Sequence, residues 1–129
     1  MNPFDYRRRP TTEVVIGGVP MGGHNPIRIQ SMTNTSTMDT DGSVSQTEAI
    51  VSAGGEYVRL TAQGVREAVN LGEIRRRLRD NGVNVPLVAD IHFNPKAAFA
   101  AAGTVEKVRI NPGNFVDPGR TFKKLTYTD

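Results

Sequence analysis

The stretch PLVADIHFNPKAAFAAAGTVEKVRIN, residues 86–111, decides the fold. It begins with a short apolar strand over residues 86–91, passes through Asn94-Pro95 into an alanine-rich helix over 96–102, and ends with a strand over 105–110. Asn followed by Pro is typical of a helix start, because Asn caps the first free N–H groups and Pro fits the first helical position. A helix that joins two short apolar strands is the pattern of a parallel crossover. The sequence therefore predicts an α/β fold.

The same alternation of strand and helix occupies the residues before this stretch. A strand over residues 27–32 leads through a Thr- and Ser-rich loop to Asp41, a suitable cap for a helix over 43–52. A second strand over 57–61 leads to a long helix that opens at Gly64, with Val65, Ala68, Val69, Leu71, Ile74 and Leu78 at helical spacing, and ends at Asn81-Gly82. Four parallel strands with three crossovers make half of an eight-stranded barrel. We therefore expect residues 1–129 to be the N-terminal half of a (β/α)8 TIM-type barrel, with the rest of the barrel outside this chain.

A short hairpin is predicted ahead of the barrel strands. Two apolar triplets, 14–16 and 19–21, flank Gly17-Gly18, and a Gly-Gly pair supplies the positive φ angles of a tight turn. So small an element is expected to act as a lid or plug.

Composition and charge exclude several classes of protein. No segment approaches the roughly 20 apolar residues of a membrane span, and no apolar run follows the N-terminal arginines, so we expect a cytoplasmic protein without a membrane partner. The net charge of +3 permits an acidic ligand but is too small for a nucleic-acid module. Because the sequence has no cysteine, thiolate metal ligands and disulfides are excluded from this chain, and we expect no metal site within it.

Side chains alternate across a strand, so the four predicted strands each divide into two faces. One face is apolar and is expected to pack under the crossover helices; it carries Ile27, Ile29, Val58, Leu60, Leu87, Ala89, Ile91, Val108 and Ile110. The other face is polar; it carries Arg28, Gln30, Asn34, Tyr57, Arg59, Thr61, Asp90, His92, Lys107, Arg109 and Asn111. Leaving such groups buried and unpaired costs about 1–3 kcal/mol each, so they are expected to pair with one another or with a ligand.

The polar residues closest to the carboxyl ends of the strands form the candidate site, because barrel active sites lie at that end. They are Arg59, Asp90, His92, Arg109 and Asn111, with Gln30 and Asn34 as second-tier candidates. Two arginines and a histidine around one carboxylate favour an anionic ligand such as a phosphate or diphosphate, with Gly113-Asn114 as possible N–H donors. A purely structural ion pair between Arg59 and Asp90 is the competing interpretation.

Four segments resemble the 4-hydroxy-3-methylbut-2-enyl diphosphate synthase family in order and in spacing. They are IQSMTN at residues 29–34, VRLT at 58–61, PLVADIHF at 86–93 and VRINPGN at 108–114. The resemblance covers most of the chain from about residue 14 to residue 114, and the third and fourth segments together are the most specific part of it.

This resemblance implies a reductase of the methylerythritol phosphate route to isoprenoids. Such enzymes convert 2-C-methyl-D-erythritol 2,4-cyclodiphosphate to 4-hydroxy-3-methylbut-2-enyl diphosphate, using a 4Fe-4S cluster that takes electrons from flavodoxin or ferredoxin. By the same resemblance Arg59 and Arg109 would clamp the diphosphate, Asp90 and His92 would be the catalytic pair that hydrogen-bonds the substrate, and Asn111 would complete the pocket. The cluster ligands would lie outside this chain, so the 129 residues by themselves are expected to bind no cluster and to be inactive.

Two other interpretations remain open on the sequence. The Thr-, Ser- and Asp-rich loop over residues 34–42 is similar to that of pterin-binding barrels of the dihydropteroate synthase kind, which are transferases without redox chemistry. Alternatively, the chain is an oligomerisation module without a site. A half barrel has open strand edges, which favour pairing with a second copy, so a homo-oligomer is expected.

Overall fold

The computed structural model describes residues 9–113 and contains one four-stranded parallel sheet, a separate antiparallel hairpin and three helices within that range. The sheet has the order β3-β4-β5-β6, and β1 pairs with β2 alone. In chain order the elements are β1 Val14–Ile16, β2 Val19–Met21, β3 Gln30–Met32, α1 Thr40–Ser52, β4 Tyr57–Ala62, α2 Val65–Asp80, β5 Leu87–Ile91, α3 Pro95–Ala102 and β6 Lys107–Ile110. The predicted α/β fold, with four parallel strands joined by crossover helices and a short hairpin before them, is confirmed.

Local capping chemistry sets the helix boundaries. The Asp39 side chain accepts the Gly42 N–H at 3.0 Å, so α1 begins at Thr40; the predicted cap at Asp41 and the predicted start at residue 43 were wrong. The Asn94 side chain accepts the Lys96 N–H at 3.1 Å ahead of Pro95, as the sequence predicts. These caps fix where each crossover leaves the carboxyl end of the sheet.

The strand register aligns the polar residues of neighbouring strands. Met32 lies opposite Arg59 in the β3–β4 pair, Thr61 opposite Asp90 in the β4–β5 pair, and Asp90 opposite Arg109 in the β5–β6 pair. Because residues paired across parallel strands point to the same face, Asp90 and Arg109 are neighbours on the inner face near the carboxyl ends.

The hydrophobic core lies between the sheet and the three helices. Its buried members come from the predicted apolar face and from the helices; they are Val44, Val58, Leu60, Ala62, Ala68, Leu71, Ile74, Leu78, Val85, Leu87, Ala89, Ile91, Ala97 and Ala101, with Val108 partly buried against them. Fewer apolar residues of α2 are buried than predicted. Val65 and Val69 are 42% and 59% exposed, on the side of α2 away from the core.

β3, the first strand of the parallel sheet, is shorter than the predicted strand over residues 27–32, and this leaves the apolar residues before it exposed. Ile27 and Ile29 are 81% and 59% exposed, so the expectation that they pack under a helix was wrong. They precede β3, which begins at Gln30 and pairs only with β4 within the described residues. Ile110 at the opposite open edge is also exposed, because β6 pairs only with β5 in the same range. β6, the fourth strand of the parallel sheet, begins at Lys107 instead of the predicted residue 105.

The hairpin packs against the inner face of the sheet at the amino ends of the strands. Ile16 contacts Tyr57 and Val88 in a small buried cluster, and the Tyr57 hydroxyl donates to the Val19 carbonyl at 2.8 Å. Burial raises the pKa of Tyr57. The hairpin therefore acts as a plug at the end of the sheet away from the candidate site, and Tyr57 belongs to this packing.

Arg28, also predicted on the polar face, holds the same end of the sheet. Its guanidinium donates to the Pro20 carbonyl at 2.7 Å and to the Glu56 carboxylate at 2.8 Å. The Arg28 hydrogen bond lowers the pKa of Glu56. Arg28 thus ties the hairpin to the start of β4 and lies apart from the candidate site.

A second ionic cluster fixes the start of β6. Glu106 accepts from Arg75 and Arg79 of α2, each at 2.7 Å, and from the Leu87 N–H of β5 at 2.9 Å. Burial acts to raise the pKa of Glu106, but the Leu87 N–H and the two guanidinium groups outweigh it, so the pKa is lowered. Glu106 therefore connects α2, β5 and β6, and it lies toward the amino ends of the strands from the Asp90–Arg109 pair.

Within residues 9–113, none of the helices combines the length and the apolar character that crossing a bilayer would require.

Candidate active site

Asp90 is the centre of the candidate site. It is 2% exposed, and each of its carboxylate oxygens faces a basic side chain. Arg109 Nη1 donates to Oδ1 at 2.9 Å, His92 Nε2 lies 3.2 Å from Oδ2, and Arg59 Nε lies 3.5 Å from Oδ2. The structure thus brings together four of the five residues that the sequence placed at the site.

Three strands supply these side chains. Asp90 lies on the central strand β5 and Arg59 and Arg109 on its two neighbours, so both arginines reach the carboxylate across one strand spacing. His92 comes directly after β5, two residues beyond Asp90, so its side chain lies on the same face as the Asp90 carboxylate. The next residue, Phe93, has a φ of +56°. A left-handed conformation is costly for a non-glycine residue and is typical of functional sites.

The cluster carries more positive than negative charge. Arg59 and Arg109 face a single carboxylate, and their side chains are 31% and 38% exposed, so both remain reachable from solvent. Arg59 Nε is buried and lies 3.5 Å from Asp90 Oδ2 in an ion pair, without a hydrogen bond among the described residues. Asp90 therefore occupies the buried side of the Arg59 guanidinium, and an anion would approach the two arginines from their exposed side.

Met32 is a neighbour of this cluster that was not among the predicted site residues. It lies opposite Arg59 in the register, and its sulfur accepts from Arg59 Nη2 at 3.4 Å. Side chains alternate along β3, so Met32 lies on the same inner face as Gln30, two residues before it. This alternation could have identified Met32 as a site residue from the sequence.

The remaining predicted site residues lie around the cluster or apart from it. Asn111 follows β6, and its Oδ1 accepts the Gly113 N–H at 3.0 Å. Of the two possible N–H donors, Gly113 is thus bonded within the loop, and Asn114 lies outside the described residues. Gln30 is exposed and pairs in register with Tyr57, closer to the amino ends than Arg59. The Asn34 side chain accepts from the Gln46 amide of α1, whose oxygen in turn accepts the Asn34 N–H.

Hydrogen bonds within the fold account for the polar composition of the loop between β3 and α1. Thr37 donates to the Thr61 carbonyl at 2.6 Å, and Asn70 of α2 donates to the Thr37 carbonyl at 2.7 Å and to Thr40 at 3.0 Å. Ser43 of α1 donates to the loop carbonyl of residue 36 at 3.1 Å. The loop is therefore held on α1, α2 and the end of β4, which gives its Thr and Ser residues a structural role.

The chain lacks the thiolate ligands that usually hold an iron-sulfur cluster. It has no cysteine, and within residues 9–113 no group of His, Asp and Glu side chains is arranged to hold a metal ion. The two arginines of the candidate site are donors suited to phosphate oxygens.

Comparison with known proteins adds the family. The model of the GcpE TIM-barrel domain matches residues 11–127. Proteins described as "4-hydroxy-3-methylbut-2-en-1-yl diphosphate synthase (flavodoxin)" are 66% identical over 129 residues in Phocaeicola vulgatus and 68% identical over 129 residues in Bacteroides thetaiotaomicron, in both cases across 100% of this chain and 21% of the relative. The protein of that description from Akkermansia muciniphila is 54% identical over 128 residues, 99% of this chain and 22% of its own length. The chain thus spans about a fifth of the length of these curated relatives. Since the family model matches nearly all of it, the chain belongs to the GcpE TIM-barrel family.

Proposed function

We propose that this chain forms part of the substrate-binding barrel of a 4-hydroxy-3-methylbut-2-enyl diphosphate synthase, an oxidoreductase of isoprenoid biosynthesis. Its substrate would be 2-C-methyl-D-erythritol 2,4-cyclodiphosphate, with Arg59 and Arg109 holding the diphosphate and Asp90 and His92 as the catalytic pair. The observation that carries the proposal is the excess of guanidinium groups around the Asp90 carboxylate at the carboxyl ends of three strands. The family match favours this activity over that of a pterin-binding transferase.

The electrostatics of the cluster suit a diphosphate. Asp90 neutralises one of the two guanidinium groups and holds both of them near one point, which limits their repulsion and reduces the side-chain entropy lost on binding. A ligand anion would then take the exposed Nη donors of both arginines. Guanidinium groups bind phosphate oxygens in a fixed, often bidentate geometry, which gives orientation as well as affinity.

Asn111 is proposed to contribute at the rim of the same pocket, while Gln30 and Asn34 have weaker support. Asn34 is engaged with Gln46, and Gln30 lies toward the amino ends of the strands. Contacts of Gln30 and Asn34 with the substrate stay predictions.

Residues outside this chain are proposed to complete the enzyme. The later barrel strands and the 4Fe-4S domain would come from the additional length seen in the relatives, whose description names flavodoxin. Because this chain has no cysteine, it supplies none of the cysteine ligands of such a cluster, and the 129 residues alone are proposed to be inactive. Assembly as a homo-oligomer and a cytoplasmic location stay predictions.

The test is turnover of the cyclic diphosphate by the full-length protein with reduced flavodoxin. Arg109→Ala should lower kcat/KM by about 30-fold or more, which corresponds to the roughly 2 kcal/mol lost when one partner of a charged pair is removed. Arg76→Ala is the matched control, because Arg76 is 60% exposed on α2 and, among the described residues, pairs at the surface with Glu73 and Asp80. Absence of turnover in the wild type, or an equal loss in both variants, would contradict the proposal.

A further inference from the structure

Met32 occupies a position that combines access to solvent with contact to the candidate site. Within the described residues it is 37% exposed on β3, and its sulfur lies 3.4 Å from Arg59 Nη2. A thioether is a weak hydrogen-bond acceptor, so in this state it leaves the Arg59 donors available to a stronger partner. Any chemical change at this sulfur therefore acts directly on Arg59.

We propose that Met32 is a peroxide-sensitive modification site whose oxidation weakens anion binding by Arg59. In this reaction the sulfur attacks one oxygen of hydrogen peroxide, an S–O bond forms and the O–O bond breaks. The second oxygen leaves as water after taking the proton of the first. The sulfur is oxidised by two electrons, the peroxide is reduced by two, and the product is methionine sulfoxide.

The sulfoxide changes the hydrogen bonding of Arg59. Its oxygen is a strong acceptor in place of a weak one, and it forms within reach of Arg59 Nη2, which already contacts the sulfur. Hydrogen bonds to a charged donor are about twice as strong as neutral ones, so the sulfoxide competes with an incoming anion for the same N–H groups. This inference rests on the proposed role of Arg59 as an anion ligand.

Met38 provides a matched control within the chain. It is 46% exposed, more than Met32, and it lies in the loop between β3 and α1 beside Val65 and Val69 on the outer surface. Peroxide should reach it at least as easily. Its oxidation adds a polar group at the surface beside α2, where Arg59 does not contact it.

The experiment measures the affinity of the full-length protein for inorganic diphosphate by calorimetry, before and after treatment with hydrogen peroxide, with the oxidation of each methionine measured by peptide mass spectrometry. In the wild type and in Met38→Leu, oxidation should weaken binding about tenfold, equivalent to about 1.4 kcal/mol. In Met32→Leu the treated and untreated affinities should agree within about twofold, a change of less than 0.5 kcal/mol. Methionine sulfoxide reductase should restore the affinity of the treated wild type.

A further variant separates the effect of the added oxygen from general damage. Met32→Gln places a carbonyl oxygen beside Arg59, and it should bind diphosphate more weakly than Met32→Leu without any peroxide. The inference is overturned if Met32→Leu loses affinity as strongly as the wild type, or if affinity is unchanged once Met32 is oxidised. It is equally overturned if Met32 resists peroxide while Met38 reacts. Lack of diphosphate binding by untreated protein would instead overturn the proposed anion site, and this inference with it.

Discussion

Glu106→Gln should destabilise the chain, because Glu106 joins three elements below the candidate site. The glutamate is 10% exposed and accepts from Arg75, Arg79 and the Leu87 N–H. Glutamine keeps the shape and one oxygen for the Leu87 N–H but loses the charge that both guanidinium groups face. Since Glu106 precedes β6, its loss also loosens the register that pairs Asp90 with Arg109.

The size of the effect follows from the exposure of the partners. A hydrogen bond to a charged group contributes about 1.5–3 kcal/mol when buried. Arg75 is 43% exposed and Arg79 23% exposed, so solvent screening reduces both contributions. We expect a total loss of about 2 kcal/mol, which lowers Tm by about 8 °C for a domain of this size in a thermal unfolding assay followed by circular dichroism.

The loss should also depend on pH in a defined direction. The folded-state pKa of Glu106 is lowered, so its contribution is fully present above the ordinary value of about 4.3 and disappears as pH falls through the folded pKa. The difference in Tm between wild type and Glu106→Gln should therefore be full at pH 7 and shrink below about pH 4.

Glu73→Gln is the control for this prediction. Glu73 also contacts two arginines, Arg76 and Arg77, but it is 38% exposed on α2. Exposed ion pairs within a helix are screened by solvent and contribute little, so this variant should unfold close to the wild type. If Glu106→Gln costs no more than Glu73→Gln, or if its effect persists unchanged at low pH, the reasoning about buried charge at this position is refuted.

Three further variants test single features of the fold. Tyr57→Phe removes the hydroxyl that donates to the Val19 carbonyl and should cost about 1 kcal/mol in urea unfolding, and a neutral result would show that this bond does not hold the hairpin. Phe93→Gly should be more stable than Phe93→Ala by about 1 kcal/mol, the reverse of the usual order, because residue 93 has a φ of +56°. If the alanine variant is the more stable of the two, residue 93 carries no left-handed strain. Asp90→Asn should lose about 2 kcal/mol by the same assay, with part of the loss recovered on adding diphosphate, and no recovery would favour a purely structural ion pair with Arg109.

The sequence predicted the order and direction of the elements because their signals are local. The apolar runs at 57–61 and 86–91, the Asn94-Pro95 helix start and the Gly-Gly turn at 17–18 each act over a few residues, and the structure confirms these elements. The alternation of faces was enough to place Asp90 and Arg109 together, because a parallel register keeps paired residues on one face.

The sequence did not predict the ends of the first strand or the partners of polar residues. Ile27 and Ile29 have the composition of a buried strand, but burial depends on what covers them, which is not a local property. Arg28 and Tyr57 alternate correctly onto the inner face, yet their depth along the strand places them against the hairpin. Asn34 is engaged by Gln46, a residue of α1 whose approach depends on tertiary packing.

The most direct test of the central claim is the affinity of the full-length protein for the cyclic diphosphate, measured by calorimetry in the wild type, Arg59→Ala, Arg109→Ala and Arg76→Ala. If Arg59 and Arg109 hold the diphosphate at the carboxyl ends of their strands, each of those two variants should bind at least about 30-fold more weakly, a loss of about 2 kcal/mol. Arg76→Ala should bind like the wild type. Undiminished affinity in both Arg59→Ala and Arg109→Ala would show that the cluster around Asp90 is a structural ion pair and that the substrate binds elsewhere.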